Sequence, residues 1–415
     1  MGRPEIRLDI GLDDVLAAQA AGAGVVKRTP TTSSAALSNL TGGEVVLKAE
    51  NLQRTGSFKI RGAMAKLHSL GPAVSAGVTA GSAGNHAQAL AFAARTFGVP
   101  CEIFVPLGAP VAKIHACLSY GARVVEGGAS LTEAVTLAQA RAGESGMTFC
   151  HPYDDPVVVA GQGTLGLELA DDVPRVRKVL IPLGGGGLSS GTAIALKARL
   201  PQVEVIGVQA AACAPYAGQP IPDGAVSTLA DGIAVKLPGA VTRPLVERWL
   251  DGVAVVDEEA IADAMVLLME RAKLYVEGAG AVGVAALMSG MVQPAPAEEG
   301  VTCVVLSGGN VDLGVVPGLI RRHETAAGRR LIVFARISDR PGGLAELLST
   351  LAGAGANVIE VTHVREGVSL NVRETGVNVA LEVRSPAHAE AVLAAARAAG
   401  LYVDRPATPT SRSDS

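Results

Sequence analysis

Short apolar runs alternate with amphipathic helical patterns through most of residues 40–320, and this alternation limits the fold more than any other feature. Residues 44–47, Cys101–Val105, 178–182, 203–208 and Val301–Leu306 read as strands. Between them, Asn85–Phe97 places Ala87, Leu90, Ala91, Ala94 and Phe97 on one helical face. Residues 258–273 do the same with Ile261, Met265, Leu268 and Met269. Repeated strand–helix units imply α/β architecture: open, twisted, mostly parallel sheets with helices on both faces. A length of 415 residues allows two or three domains and a sizeable core. The 50 glycines, with aromatics at only 3%, suit buried parallel strands joined by tight turns. The longest apolar stretch, 279–292, carries Gly and Ser and is too short to span a bilayer, so it reads as a core helix.

Charge and cysteine usage narrow the class further. A net charge of −4 with no block of like charge predicts neither a nucleic-acid nor a membrane partner. Cys101, Cys117, Cys150, Cys213 and Cys303 are scattered and form no C-x-x-C pair. They read as small buried hydrophobes in a reducing compartment, with no metal site among them. The first residues lack an apolar h-region, so a cytoplasmic protein is expected.

The pattern changes after residue 320. Residues 321–330 are polar and basic and read as a linker. Beyond them come a strand at 331–337, a turn at 339–343 and a helix set by Leu344, Leu347, Leu348 and Leu351. Asn357–Val364 is a second strand, and alternating Val377, Val379, Leu381 and Val383 mark a third. Ser385 and Pro386 supply an N-cap and N1 pair for a helix to 399, before a last strand at 401–403. The order βαββαβ over 331–405 gives a small ferredoxin-like domain. A dimerisation module without a ligand has the same order, because fold alone fixes no function. The Pro- and Ser-rich tail 406–415 is expected to be disordered.

Four segments carry chemistry. Lys59 is flanked by apolar Phe58, Ile60 and Ala63 and bracketed by Gly56 and Gly62, which makes it a candidate buried amine. Such an amine serves to hold pyridoxal phosphate as a Schiff base; the plain alternative is a solvated surface lysine. Gly184, Gly185, Gly186, Gly187 and Leu188 follow a strand and open a helix, the arrangement of a phosphate cradle or of a simple strand-to-helix turn. No dinucleotide or P-loop fingerprint fits them. Ser82, Ala83, Gly84, Asn85 and His86 open the Asn85–Phe97 helix, where backbone N–H groups face an anion such as a substrate carboxylate. Asn85 is a donor to a phenolate-like oxygen, and His86 reads as a packed or capping imidazole ahead of a base. Ser307 ends a buried strand, where open α/β sheets place ligands; its hydroxyl suits a ring nitrogen, and an ordinary Ser-Gly turn is the alternative.

Six segments in order, Ser57 to Ala63, Ser82 to Ala89, Gly184 to Leu188, Ala230 to Val235, Glu277 to Ala281 and Ser307 to Asn310, resemble fold-type II pyridoxal-phosphate enzymes. The likeness is to the threonine ammonia-lyases (threonine dehydratases) and the related serine racemases. It implies Lys59 as the Schiff-base lysine, with Phe58 beside it, and Asn85 as partner of the cofactor O3′. It further implies the loop 184–188 on the phosphate, Ser307 at the pyridine nitrogen, and 82–86 around the substrate. Residues 1–320 then form a catalytic domain of two α/β lobes, and 331–405 resemble an ACT-like regulatory domain.

The implied reaction is β-elimination of L-threonine, or L-serine, to a 2-oxo acid and ammonia. Lys59 takes the Cα proton and a neutral Ser307 keeps the cofactor a modest electron sink. Serine racemases resemble this chain but have a serine at Ala83, so elimination without efficient racemisation is expected. Ala210, Ala211 and Ala212 stand where racemase-like members carry acidic cation ligands, so no bound metal is expected. A serine dehydratase or racemase-like enzyme, and a non-catalytic amino-acid sensor, are the alternatives. The resemblance also implies a homodimer or homotetramer. It leaves open an amino-acid effector near Asn357 and Glu360, and a biosynthetic role in isoleucine formation or a catabolic one.

Overall fold

The computed structural model describes residues 9–366 and 370–405; the tail 406–415 lies outside the described residues. The chain divides into two units, Met1–Asp312 and Leu313–Ser415.

Among the described residues, ten strands belong to the first unit. They are β1 (Thr31–Ser33), β2 (Val45–Ala49), β3 (Val78–Gly81), β4 (Cys101–Val105), β5 (Arg123–Glu126), β6 (Thr148–Phe149), β7 (Val176–Pro182), β8 (Glu204–Ala210), β9 (Gly252–Val256) and β10 (Val301–Leu306). They form two sheets, β1-β2-β10-β7-β8-β9 and β5-β4-β3-β6. Every pairing is parallel except that of the short edge strand β1 with β2. The expected parallel architecture is therefore present as two lobes. Central strands β2 and β10 are buried along their whole length, which explains why they are mostly apolar, broken only by Lys48 and Thr302, instead of alternating. Parallel strands put their carboxyl ends on one side of each sheet. Thus β3 delivers Ser82, β7 delivers Gly184 and β10 delivers Ser307 from equivalent ends.

Strand boundaries shift by one or two residues from the sequence reading, as frayed ends usually do. The helix Asn85–Phe97 matches its expected bounds, closed by Gly98 in the left-handed region at φ 69°. The stretch 279–292 holds a core helix, Gly278–Met288, almost wholly buried. One helix departs from expectation. The 258–273 pattern is α-helical only over Glu258–Leu267; Leu268–Ala272 winds as a π-turn and ends at Lys273, φ 59°. Five-residue spacing there leaves the 3.6-residue periodicity without its usual register.

A buried ionic cluster anchors the helix that starts at Lys59. Arg61, 1% exposed, donates Nε to Glu50 Oε2 at 2.8 Å and Nη1 to Glu168 Oε1 at 2.7 Å. Lys48, fully buried on β2, donates to Glu168 Oε2 at 2.7 Å and to the Thr29 carbonyl at 2.8 Å. Burial works against the Glu50 carboxylate, but Arg61 overrides it and holds its pKa below the ordinary value. The cluster ties β2, the helix Lys59–Ser69 and the helix Pro156–Asp172 together.

The second unit has β11 (Arg330–Ser338), β12 (Asn357–Val364), β13 (Glu374–Glu382) and β14 (Tyr402–Asp404) in one antiparallel sheet ordered β12-β13-β11-β14. Helices Gly343–Gly353 and Pro386–Ala398 complete the βαββαβ order. Leu347, Leu351, Val392 and Leu393 pack with Val333, Val377 and Val379 in its core. Ser385 caps the second helix by accepting from His388 N, as the Ser-Pro signal predicts. The basic stretch 321–330 is not an open linker. It continues a helix, Val316–Ala326, whose Leu319 is buried, and β11 already begins at Arg330. The clustered basic residues Arg321, Arg322, Arg329 and Arg330 concealed a short helix there, and the boundary between units falls at 312 instead of 320. Among the described residues, no helix is long and apolar enough to cross a membrane, and all five cysteines are free and buried.

Candidate active site

Lys59 is the first residue of its helix, and the loop before it is paired to the end of β10. Phe58 N–H donates to the Ser307 carbonyl at 3.1 Å, Gly309 N–H donates to the Gly56 carbonyl at 2.9 Å, and Ser57 bridges Gly308. Backbone bonds between 56–58 and 307–309 therefore hold Lys59 and Ser307 side by side. Thr55 adopts φ 61°, unusual for a β-branched residue, and its neighbour Gly56 lies at φ 74°. Two successive left-handed residues turn the chain from the Arg54 side into this pairing.

The Lys59 amine donates to the Pro152 carbonyl at 2.9 Å and lies 5.1 Å from the Phe58 ring centroid. Burial lowers its pKa to about 8, and the Glu277 carboxyl opposes that shift. Lowering the pKa toward neutral makes the amine easier to deprotonate, as both imine formation and proton abstraction require.

Pro152 connects this amine to the glycine loop. The next residue, Tyr153, lies over Gly185: a Cβ at Gly185 would stand 2.2 Å from the tyrosine ring. Gly186 takes φ 92°, a conformation that only glycine adopts without strain, and serves as N-cap of the helix Gly187–Arg199. Gly184, Gly185, Gly186, Gly187 and Leu188 are all buried. A close backbone turn feeding a helix N-terminus presents N–H groups to an anion.

Ser82, Ala83 and Gly84 form the turn between β3 and the helix begun by Asn85. The Ser82 hydroxyl accepts from Gly84 N–H at 3.3 Å, and Ala83 packs against the smaller lobe's core. Asn85 is fixed on both sides of its amide. Its Nδ2 donates to Glu277 Oε1 at 2.7 Å, and its Oδ1 accepts from Asn310 Nδ2 at 2.7 Å. The His86 ring points elsewhere. It is buried, its Nε2 lies 2.9 Å from the Cys150 carbonyl, and burial together with Lys59 pushes its pKa down to about 3. That imidazole is a packed, neutral group, leaving only its backbone beside the 82–85 turn.

The family described as pyridoxal-phosphate dependent enzyme matches residues 23–308. The chain belongs to this family. Among its relatives, the L-threonine ammonia-lyase of Thermotoga maritima is 42% identical over 92% of this chain and 96% of its own. A threonine deaminase structure from T.th. shares 39% identity at a TM-score of 0.68, covering 73% of this chain and 99% of that one. Maize serine racemase shares 35% identity at a TM-score of 0.70, covering 76% and 98% respectively.

The residues present fit the family's cofactor on grounds internal to the fold. The Ser57 hydroxyl is buried without a partner two residues before Lys59, and the Thr55 hydroxyl likewise. A group with polar edges would satisfy such atoms, which otherwise cost free energy when buried. The glycine loop offers a cradle that side chains would fill.

Sequence reasoning missed the segment 150–155. Cys150 holds His86, His151 Nδ1 accepts from Asp154 N–H at 2.8 Å, Pro152 holds Lys59, and Tyr153 covers the glycine loop. Asp154 accepts from the N–H groups of Ala240, Val241 and Thr242, and Asp155 caps the helix Pro156–Asp172. Only the Asp155-Pro156 pair leaves a signal in sequence, as a helix start. Glu277 was also missed as a side chain of the site, although its segment belongs to the family pattern.

Proposed function

We propose that this chain is a pyridoxal-phosphate dependent L-threonine ammonia-lyase that also acts on L-serine. The observation that carries the reading is Lys59, an amine whose pKa burial lowers to about 8, set beside Ser307 and linked through Pro152 and Tyr153 to the glycine loop. The relatives named threonine ammonia-lyase and threonine deaminase support the choice of substrate.

In this reading, pyridoxal phosphate attached at Lys59 supplies the electron sink that makes an amino acid's Cα proton acidic. The 184–188 loop would bind the phosphate, Asn85 would donate to the phenolic oxygen, and Ser307 would serve as a neutral partner for the ring nitrogen. Backbone N–H groups of the 82–85 turn bind the substrate carboxylate. Lys59 Nζ, as a free amine, would accept the Cα proton, with the Pro152 carbonyl orienting it. The β-hydroxyl would leave as water after taking up a proton, and the resulting free enamine, once tautomerised to the imine, would be hydrolysed by water to 2-oxobutanoate and ammonia.

Ala83 has no proton to give, so the second ring face lacks a base and racemisation is inefficient. Threonine and serine differ by one methyl, worth about 1–3 kcal/mol in a pocket, so both are substrates. The C-terminal unit is assigned as an ACT-like regulatory domain on its βαββαβ order. Asn357 there donates to Glu382 at 3.0 Å, and Glu360 is exposed beside it on β12 as a contact for an amino-acid effector.

Replacing Lys59 with Ala tests the reading. The variant is expected to lose both covalent cofactor retention after borohydride reduction and ammonia release from L-threonine. Full turnover in it would refute the assignment, and substantial D-serine formed from L-serine by the parent would refute the role given to Ala83.

A further inference from the structure

Glu277 precedes the helix Gly278–Met288 but makes no side-chain cap to it. Its carboxyl is turned across the site to Asn85, 2.7 Å away and 192 residues distant in sequence. Both groups lie against Gly308, the residue after Ser307. A Cβ there would stand 2.4 Å from Glu277 Oε1 and 3.2 Å from Asn85 Nδ2.

The donors and acceptors around Asn85 allow one amide orientation. The Thr55 carbonyl needs a donor and takes Asn310 Nδ2 at 2.8 Å. Asn310 Nδ2 then donates to Asn85 Oδ1, so Asn85 must turn Nδ2 toward Glu277. The reversed amide would set two acceptors face to face at Glu277 and two donors at Asn310. One hydrogen of Asn85 Nδ2 is used by Glu277, and one is left.

We infer that Glu277 is a positioning residue that locks the Asn85 amide, so that the remaining Nδ2 hydrogen is directed to the cofactor's phenolic oxygen. This rests on the role given to Asn85 in the proposed function. The carboxyl is faced by Asp231 of the 231–233 turn, which pairs with Lys113 of the helix Val111–Ser119 at 2.9 Å, and by Lys59 of the helix Lys59–Ser69. Burial, with the Asp231 charge, raises its pKa to about 7 against the pull of Asn85, Lys113 and Lys59. Its acceptor strength toward Asn85 therefore changes near neutral pH.

The test uses the full chain reconstituted with pyridoxal phosphate, and reads the cofactor dissociation constant and the absorption band against pH. E277L fills the same volume without an acceptor and should weaken retention about tenfold, whereas E277Q, which can still accept, should stay within about threefold. In an N85A background, E277L should add nothing further, because the two residues act as one unit. Equal behaviour of E277L and E277Q, or effects of N85A and E277L that multiply, would overturn the inference. Should E277L not fold, the pH titration decides. The parent's band should show a step near pH 7 that both E277Q and N85A abolish. A step that survives N85A would mean that Glu277 acts on the cofactor directly, against the inference. Failure of the cofactor to attach at Lys59 would sink the functional reading itself, a result distinct from any of these.

Discussion

Adding one methyl group at Gly185 tests whether the glycine loop and the Lys59 amine belong to one site. An alanine Cβ there would lie 2.2, 2.4 and 2.5 Å from three carbons of the Tyr153 ring. Ordinary carbon contacts are about 3.5–4.0 Å, so ring and loop must separate by roughly 1 Å or more. Neither moves freely. The ring stacks edge-on to His151 at 4.6 Å, and its hydroxyl reaches the Leu237 carbonyl at 3.4 Å. The loop is buried between β7 and the helix Gly187–Arg199. Overpacking of this kind costs about 1–3 kcal/mol. If the ring yields, it drags Pro152 and the carbonyl that holds Lys59; if the loop yields, the proposed phosphate cradle opens. Either way the Gly185→Ala variant should bind pyridoxal phosphate about tenfold or more weakly, since about 1.4 kcal/mol is a factor of ten. Absorbance titration of the cofactor measures this, and thermal melting of the cofactor-free protein separates it from unfolding. Gly143→Ala is the control. That exposed glycine in the helix Leu131–Ser145 meets nothing within 4 Å, so it should be neutral or stabilising by about 0.5 kcal/mol. Tyr153→Ala in the Gly185→Ala background should restore part of the loss. A Gly185→Ala protein with parental affinity and melting temperature would refute the coupling of loop and lysine.

The remaining predictions concern charge and capping. Lys48→Met leaves Glu168 without one of its two cations inside the fold and should cost about 3–5 kcal/mol in denaturant titrations. Arg28→Ala, which breaks an exposed pair with Asp172, should cost about 0–1 kcal/mol; equal costs would contradict the burial argument. Glu277 has a raised folded-state pKa of about 7 against an ordinary 4.5, so its contribution is fully present below about pH 4.5 and is lost as pH rises to about 7. At about 1.4 kcal/mol per pH unit this is of order 3 kcal/mol, and E277Q should flatten that part of the stability profile of the cofactor-free protein. Asp154→Ala frees three N–H groups at residues 240–242 and should cost about 1–3 kcal/mol, with faster amide exchange there than at the helix Asn85–Phe97. Unchanged exchange at 240–242 would show that water or another acceptor replaces the carboxylate without loss.

Much of the architecture was legible because parallel strands buried on both faces are predominantly apolar. The run Val301–Leu306, polar only at Thr302, shows this most clearly, and in Cys101–Val105 the one charged residue, Glu102, is paired with Arg141 and Arg123. Lys59, the four glycines and Ser307 stand out in the sequence for another reason: each sits in a short local segment whose proposed chemistry needs a set residue type. The helix Val316–Ala326 was not legible, because its charged face outweighs the few apolar residues that pack. Nor was the π-turn at Leu268–Ala272, whose spacing mimics a continuing helix.

The sequence alone determined which segments could strand, turn or coil, and which side chains had reactive chemistry, since those properties depend on neighbours within a few residues. Tertiary structure decided which of those side chains meet. Asn85, Glu277 and Asn310 form one hydrogen-bonded line across separations of 192 and 225 residues. The 150–155 segment joins Lys59 to the glycine loop, although composition gives it no special mark. Only the folded chain removes water from around Lys59 and Glu277, and that desolvation, opposed or reinforced by nearby charge, brings an amine and a carboxyl to within reach of neutral pH.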